Sequence, residues 1–176
     1  MTNQKRFHSL LALLPLALTS ALLVSGQQPQ QHDSMSQKQA DEMNMRGDEA
    51  MGFDHLKTTH HFLLANDGGS IQVEANDVKD TESRDQIRRH LQHITMMFSE
   101  GNFSIPMLVH DKTPPGSERM QQLKAEITYK YRETERGALI QISTANEEAL
   151  RAIHEFLRFQ IKEHMTGDSL AVPQPR

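Results

Sequence analysis

Apolar and polar positions along this chain follow two periods, and the switch from one period to the other occurs twice. From about Thr58, the run His60-His61-Phe62-Leu63-Leu64-Ala65 reads as a strand, and Asn66-Asp67-Gly68-Gly69 supplies turn chemistry. Beyond the turn, Ile71, Val73 and Ala75 alternate with Ser70, Gln72 and Glu74, the pattern of a half-buried partner strand. The period then lengthens. Ser83-x-x-Gln86 has the form of a capping box, and Ile87, Leu91, Ile94 and Phe98 make the apolar stripe of a helix that Gly101 stops.

The second round starts near Ala125. Ile127, Tyr129 and Tyr131 alternate, residues 133–137 turn, and Leu139 to Thr144 return as a second strand. Thr144-x-x-Glu147 opens a helix to about Met165, with Leu150, Ile153, Leu157 and Ile161 on its core face and Gly167 ending it. Phe156 and Phe159 fall off that stripe, and Phe159 marks either a partner-contact surface or a second packing layer. Between the rounds, Met107-Leu108-Val109 reads as a short edge strand, Thr113-Pro114-Pro115-Gly116 as a turn, and Ser117 to Lys124 as a brief helix. Gly69-Ser70-Ile71-Gln72-Val73 also resembles Ala138-Leu139-Ile140-Gln141-Ile142. The expected fold is α+β: two β-hairpin–helix units forming an antiparallel sheet of about four strands, with two helices packed on one face.

The N-terminal third lacks both periods. Lys5 and Arg6 precede an apolar run from Leu10 to Val24, and Val24-Ser25-Gly26 places small residues where a signal peptidase cuts. The run falls short of the roughly 20 apolar residues that span a bilayer. Residues 1–26 therefore read as a signal peptide, leaving no membrane span after cleavage, with an uncleaved anchor as the other reading. Residues 27–51 are Gln-rich, carry Met35, Met43, Met45 and Met51 as their only large apolar side chains, and read as a disordered tether. Met43-x-Met45, with His32 nearby, also forms a loose thioether arm suited to Cu(I). A single α+β domain is expected over residues 52–168, with a flexible tail over 169–176.

Composition narrows the chemistry. Among 176 residues there are 10 His and 10 Met but no Cys, which removes disulfides, thiolate nucleophiles, Cys-type zinc sites and iron–sulfur clusters. A net charge of −4 from 19 basic and 23 acidic residues gives no broad polyanion-binding surface, and the Arg84/Arg88/Arg89 patch sits among acids, so nucleic acid is not expected as a partner. Export without disulfides leaves the domain to stand on its packed core.

Histidine spacing selects the candidate site. His90 and His93 are i and i+3 on the first helix, with Met97 four residues further, so two imidazoles and a thioether lie along one edge of the apolar face. Such donors suit copper, or zinc with another nitrogen or oxygen ligand. His60 or His61 and His110 are the possible completing ligands; strand parity sends His60 to the side of Phe62 and Leu64 and His61 to the opposite face. His154 and His164 are ten residues apart on one helix, about 15 Å along its axis, and cannot share an ion. His164 reads as a dipole partner in the last turn and His154 as a hydrogen-bonded core residue.

Catalytic templates fail. His154-Glu155-x-x-Arg158 begins like a zinc-protease helix, but Arg158 stands where the second ligand belongs. There is no G-x-S-x-G elbow, P-loop or dinucleotide fingerprint. The sequence thus points to an exported (periplasmic or secreted), non-catalytic metal-handling protein that binds copper through His and Met. The alternatives are a cell-envelope interaction or small-ligand-binding module with incidental histidines, and an exported enzyme of unknown reaction.

Overall fold

Both hairpins form where the alternation places them. In the computed structural model, which describes residues 37–174, β1 (Thr58–Ala65) and β2 (Gly68–Ala75) pair antiparallel around Asn66-Asp67. β3 (Ile127–Glu133) and β4 (Gly137–Thr144) form the second hairpin. β2 lies antiparallel beside β4, giving one four-stranded sheet in the order β1-β2-β4-β3. The look-alike segments are neighbours in this sheet: Gly69 faces Ile142, Ile71 faces Ile140 and Val73 faces Ala138. Their similar side-chain sequence therefore meets itself across the central pairing and fills one buried face.

The two long helices cover that face. α2 (Thr81–Ser99) buries Ile87, Leu91, Ile94 and Phe98, as the spacing requires. Its cap lies three residues before the expected position: the Asp80 carboxylate accepts from the Ser83 amide at 3.0 Å and from the Ser83 hydroxyl at 2.7 Å. Likewise α5 (Glu147–Glu163) is capped by Asn146, while the Thr144 hydroxyl donates to the Glu126 carbonyl. Each helix leaves its own hairpin and lies mainly over the other, α2 over β3 and β4 and α5 over β1 and β2. Val73, Ile87, Phe98, Ile140, Ile153, Phe156 and Leu157 are the centre of the resulting core. Full burial of such a side chain contributes about 1.5–3 kcal/mol.

Two segments differ from the sequence expectation. Met107-Leu108-Val109, expected as an edge strand, belongs to α3 (Ser104–His110), which keeps Pro106 in its first turn where the missing amide costs nothing. Ile105 and Val109 turn inward at i and i+4, whereas Met107 and Leu108 stay exposed. Phe156 is fully buried, and Phe159 packs edge-on against His110 at 4.9 Å with the Lys112 ammonium 5.1 Å from its ring, forming a second packing layer. α4 (Ser117–Gln122) is the brief helix expected there.

The second difference is the tether. Residues 37–51, expected as part of a disordered tether, form α1 (Gln37–Met51). Ala40, Met43 and Gly47 recur at one-turn spacing on its buried face, and Arg46 Nε donates to the Val109 carbonyl at 3.0 Å, so α1 is held against α3. Sparse apolar residues sufficed because α3 offered a surface that composition does not reveal. The expected signal peptide, tether residues 27–36 with Met35 and His32, and residues 175–176 lie outside the described residues. The C-terminal segment runs back along the domain: the Leu170 carbonyl accepts from Arg158 Nε, and Val172 packs on the core. No helix among the described residues is long and apolar enough to cross a membrane.

Candidate functional site

Four elements each bring one histidine to the same place. In β1, alternation turns His60 inward with Phe62 while His61 points out. α2 presents His90 beside Leu91 and Ile94; α3 ends on buried His110; α5 ends at His164. These four imidazoles line a small cavity of about 70 Å³ together with Gln160 and an apolar wall that includes Phe62, Val73, Phe98 and Phe156. Phe156, Gln160 and His164 are one turn apart on α5 and form the stripe it gives to the chamber.

His164 is the centre of the group. Its ring lies 5.5 Å from that of His60, nearly parallel, and 5.1 Å from that of His110, nearly perpendicular. Phe53 bridges His60 and His90, at 5.9 and 5.5 Å. A wider cleft of about 350 Å³ adjoins the chamber; Met51, His60, Val109 and His164 line both, so α1 contributes a thioether at the boundary.

The environment keeps these rings neutral. Burial pushes His60 down to about 4, assisted by the nearby charges of His61 and His55. Burial likewise takes His90 to about 4, with His60 and His93 adding to it. His164 is held well below the usual imidazole range by burial and by its neighbours His60 and His110. His110 is lowered by burial too, against the opposing hydrogen bond of Gln160 and the charge of Glu163. No protein group hydrogen-bonds the rings of His60, His90 or His164 among the described residues. A neutral imidazole with uncommitted nitrogens is the form that binds a metal ion.

The remaining candidates lie elsewhere. His93 is exposed, so the His90/His93 pair divides, one ring entering the chamber and the other facing solvent. Met97 packs against the core outside the chamber wall. His61 Nδ1 is 3.0 Å from Asp168 Oδ1, whose other oxygen accepts from the Phe62 amide at 2.9 Å and the Thr166 hydroxyl at 2.6 Å. Burial pushes the Asp168 carboxyl up, but those hydrogen bonds outweigh it and hold it below its ordinary value. This clamp ties the chain just after His164 to the strand that carries His60. His154 Nε2 donates to the carbonyls of Ala65 and Gly68 at 2.9 and 3.0 Å, a structural role closing the first hairpin.

Among the described residues, one trio of His, Asp or Glu donors lies wholly within 4.8 Å: Asp48, Asp54 and His55. Its members are already engaged locally. Asp48 binds the His55 ring at 2.9 and 3.0 Å and accepts from the His55 amide, and Asp54 caps the short turn His55–Lys57. The chamber histidines are spaced more widely, yet an imidazole bound at about 2.0–2.1 Å sets its ring centre about 3 Å from the ion. Two rings at trigonal or tetrahedral angles are then about 5–5.5 Å apart, the centre-to-centre spacing seen on either side of His164.

No family model, curated protein or solved structure matches the chain.

Sequence reasoning brought His60, His90 and His110 to the candidate site but left out His164, Met51 and Gln160. The missing signal for His164 and Gln160 was their i, i+4 spacing with Phe156, which the reading of α5 treated as lying off the core stripe. Met51 was obscured by the tether reading.

Proposed function

We propose that this is an exported, non-catalytic metal-handling protein that binds copper in the histidine chamber. His60, His110 and His164 are the imidazole ligands, His90 closes the far side, and Met51 supplies the soft donor at the mouth. One observation carries the reading: neutral imidazoles from four separate elements converge on one small cavity, and three of them have no hydrogen-bond partner among the described residues. Imidazole suits Cu(II), and a thioether suits Cu(I), so the combined set accommodates either state. A metal handler in the cell envelope also needs a protein that delivers or accepts the ion, and such a partner is part of the proposal.

Calorimetric titration of the mature protein with Cu(II), and with Cu(I) under reductant, tests it. One ion per chain is expected, with His60→Ala/His164→Ala weakening binding at least a hundredfold and His61→Ala or His93→Ala leaving it within a few-fold. Equal affinity in the double variant, or no binding by the wild type, would overturn the proposal. Uptake of a small apolar molecule in place of copper would favour the small-ligand reading, to which the apolar wall of the chamber lends support.

A further inference from the structure

The chamber is not a closed void. It shares Met51, His60, Val109 and His164 with the wider cleft, so one continuous space runs from the surface into the core. Its two ends differ in chemistry. Phe62, Ile71, Val73, Leu91, Phe98 and Phe156 wall the inner end, and all six are buried apolar side chains. Unfilled apolar space in a packed core forfeits contacts along its walls and takes up apolar guests. The outer end instead presents the polar side chains of Asn44, Thr58, Thr59 and Thr166.

His60 and His164 stand where the two ends meet. Burial holds both rings neutral, and no protein group among the described residues hydrogen-bonds them. A neutral imidazole carries one N–H donor and one acceptor nitrogen, so its match is a group that both accepts and donates, as a hydroxyl or a primary amide does. Charge narrows the choice further. None of the described residues lining the two spaces is a lysine or arginine. The Glu163 carboxylate is already paired with Lys112 at 3.0 Å, and the His55 ring with Asp48 at 2.9 Å. An ionic head would enter without an unpaired counter-charge, which disfavours its burial.

We propose that the metal-free protein binds a neutral amphiphile, an aliphatic alcohol or primary amide, with its hydrocarbon end in the chamber and its polar head at the His60/His164 boundary. The inference goes beyond the copper reading and does not rest on it. Copper bound by the same two imidazoles excludes the amphiphile, so the two occupants belong to different states of the protein. Selection comes from the head group and from apolar burial; the open cleft leaves the outer length of the ligand unrestricted.

The probes are 1-butanol, 1-hexanol, hexanamide and hexanoate, each titrated into the mature protein in excess EDTA at pH 7.5 and followed by the NMR signals of the histidine rings. One site per chain is expected, with the rings of His60 and His164 shifting and that of exposed His93 unmoved. Affinity should rise about fourfold per methylene from 1-butanol to 1-hexanol, the effect of burying each one. Hexanamide should bind within a few-fold of 1-hexanol, and hexanoate at least tenfold more weakly. His164→Leu removes a partner of the head and should weaken 1-hexanol at least fivefold. Ile105→Phe enlarges a partly buried side chain of the chamber wall and should do the same, which guards against misfolding of the first variant. Hexanoate binding as tightly as 1-hexanol overturns the proposal, as do a flat chain-length series, unchanged affinity in a folded variant, or a wild type that takes no alcohol. Copper is absent throughout, so failure here leaves the copper reading standing, and failure of the copper titration leaves this inference standing.

Discussion

Met165 occupies a backbone conformation that suits glycine. Its φ is 49°, and it follows His164 at the end of α5, where its amide bonds the Lys162 carbonyl and the Thr166 amide bonds the Ile161 carbonyl, both at 3.3 Å. That pair of bonds is the Schellman closure of a helix, whose left-handed position is most often glycine. A methionine there bears the Cβ clash that glycine avoids, and being 64% exposed it recovers little through packing. Met165→Gly should therefore stabilise the metal-free protein by about 1 kcal/mol in urea denaturation, with no change of fold. Strand parity makes the placement of His60 and His61 equally local, which is why both were legible in the sequence. His90 and His93 were not: an i, i+3 pair shares one broad face, but the boundary between buried and exposed passes between them, set by how α2 tilts against its neighbours.

At the scale of elements, the turn Thr113-Pro114-Pro115-Gly116 does more than connect. A Cβ built on Gly116 would lie 2.1 Å from the Ala152 carbonyl oxygen, and the residue's φ is +82°. The close approach lets α4 pack against α5. Gly116→Ala thus combines backbone strain with a collision against main chain that cannot rotate aside, and a loss of at least about 2 kcal/mol is expected by chemical denaturation. Gly167→Ala is the control: its φ is +76°, but nothing lies within 4 Å of the added atom, so only the strain of about 1 kcal/mol should appear. Most elements were legible because period and turn chemistry are local. α3 was misread because seven residues hold too few repeats to distinguish alternation from a single helical turn, and α1 because its few apolar residues gain their value only from α3.

For the whole molecule, the chamber sets a pH dependence. The unfolded chain protonates its histidines as pH falls through about 6.5, whereas His60 and His90 resist protonation in the fold until about 4. The unfolded state thus binds more protons in this window, so stability is full above it and is lost as pH falls through it. Each such shift corresponds to roughly 3 kcal/mol, and the two are not additive because the rings influence one another. Metal-free protein is expected to lose several kcal/mol between pH 7 and pH 4.5, with His90→Leu reducing that loss by about 2 kcal/mol in urea denaturation at the two pH values. A flat profile over this range would contradict the buried, neutral state of the rings.

The sequence by itself determined the two hairpin–helix units, the inward face of each strand and the absence of thiol chemistry, because side-chain parity, helical period and residue type are properties of the local chain. Only the tertiary structure decided that the look-alike strands pair with each other, that each helix crosses to the opposite hairpin, and that the ends of α3 and α5 meet His60 and His90. Those meetings depend on how separate elements bury one another's apolar faces, a long-range packing outcome that no spacing within an element encodes.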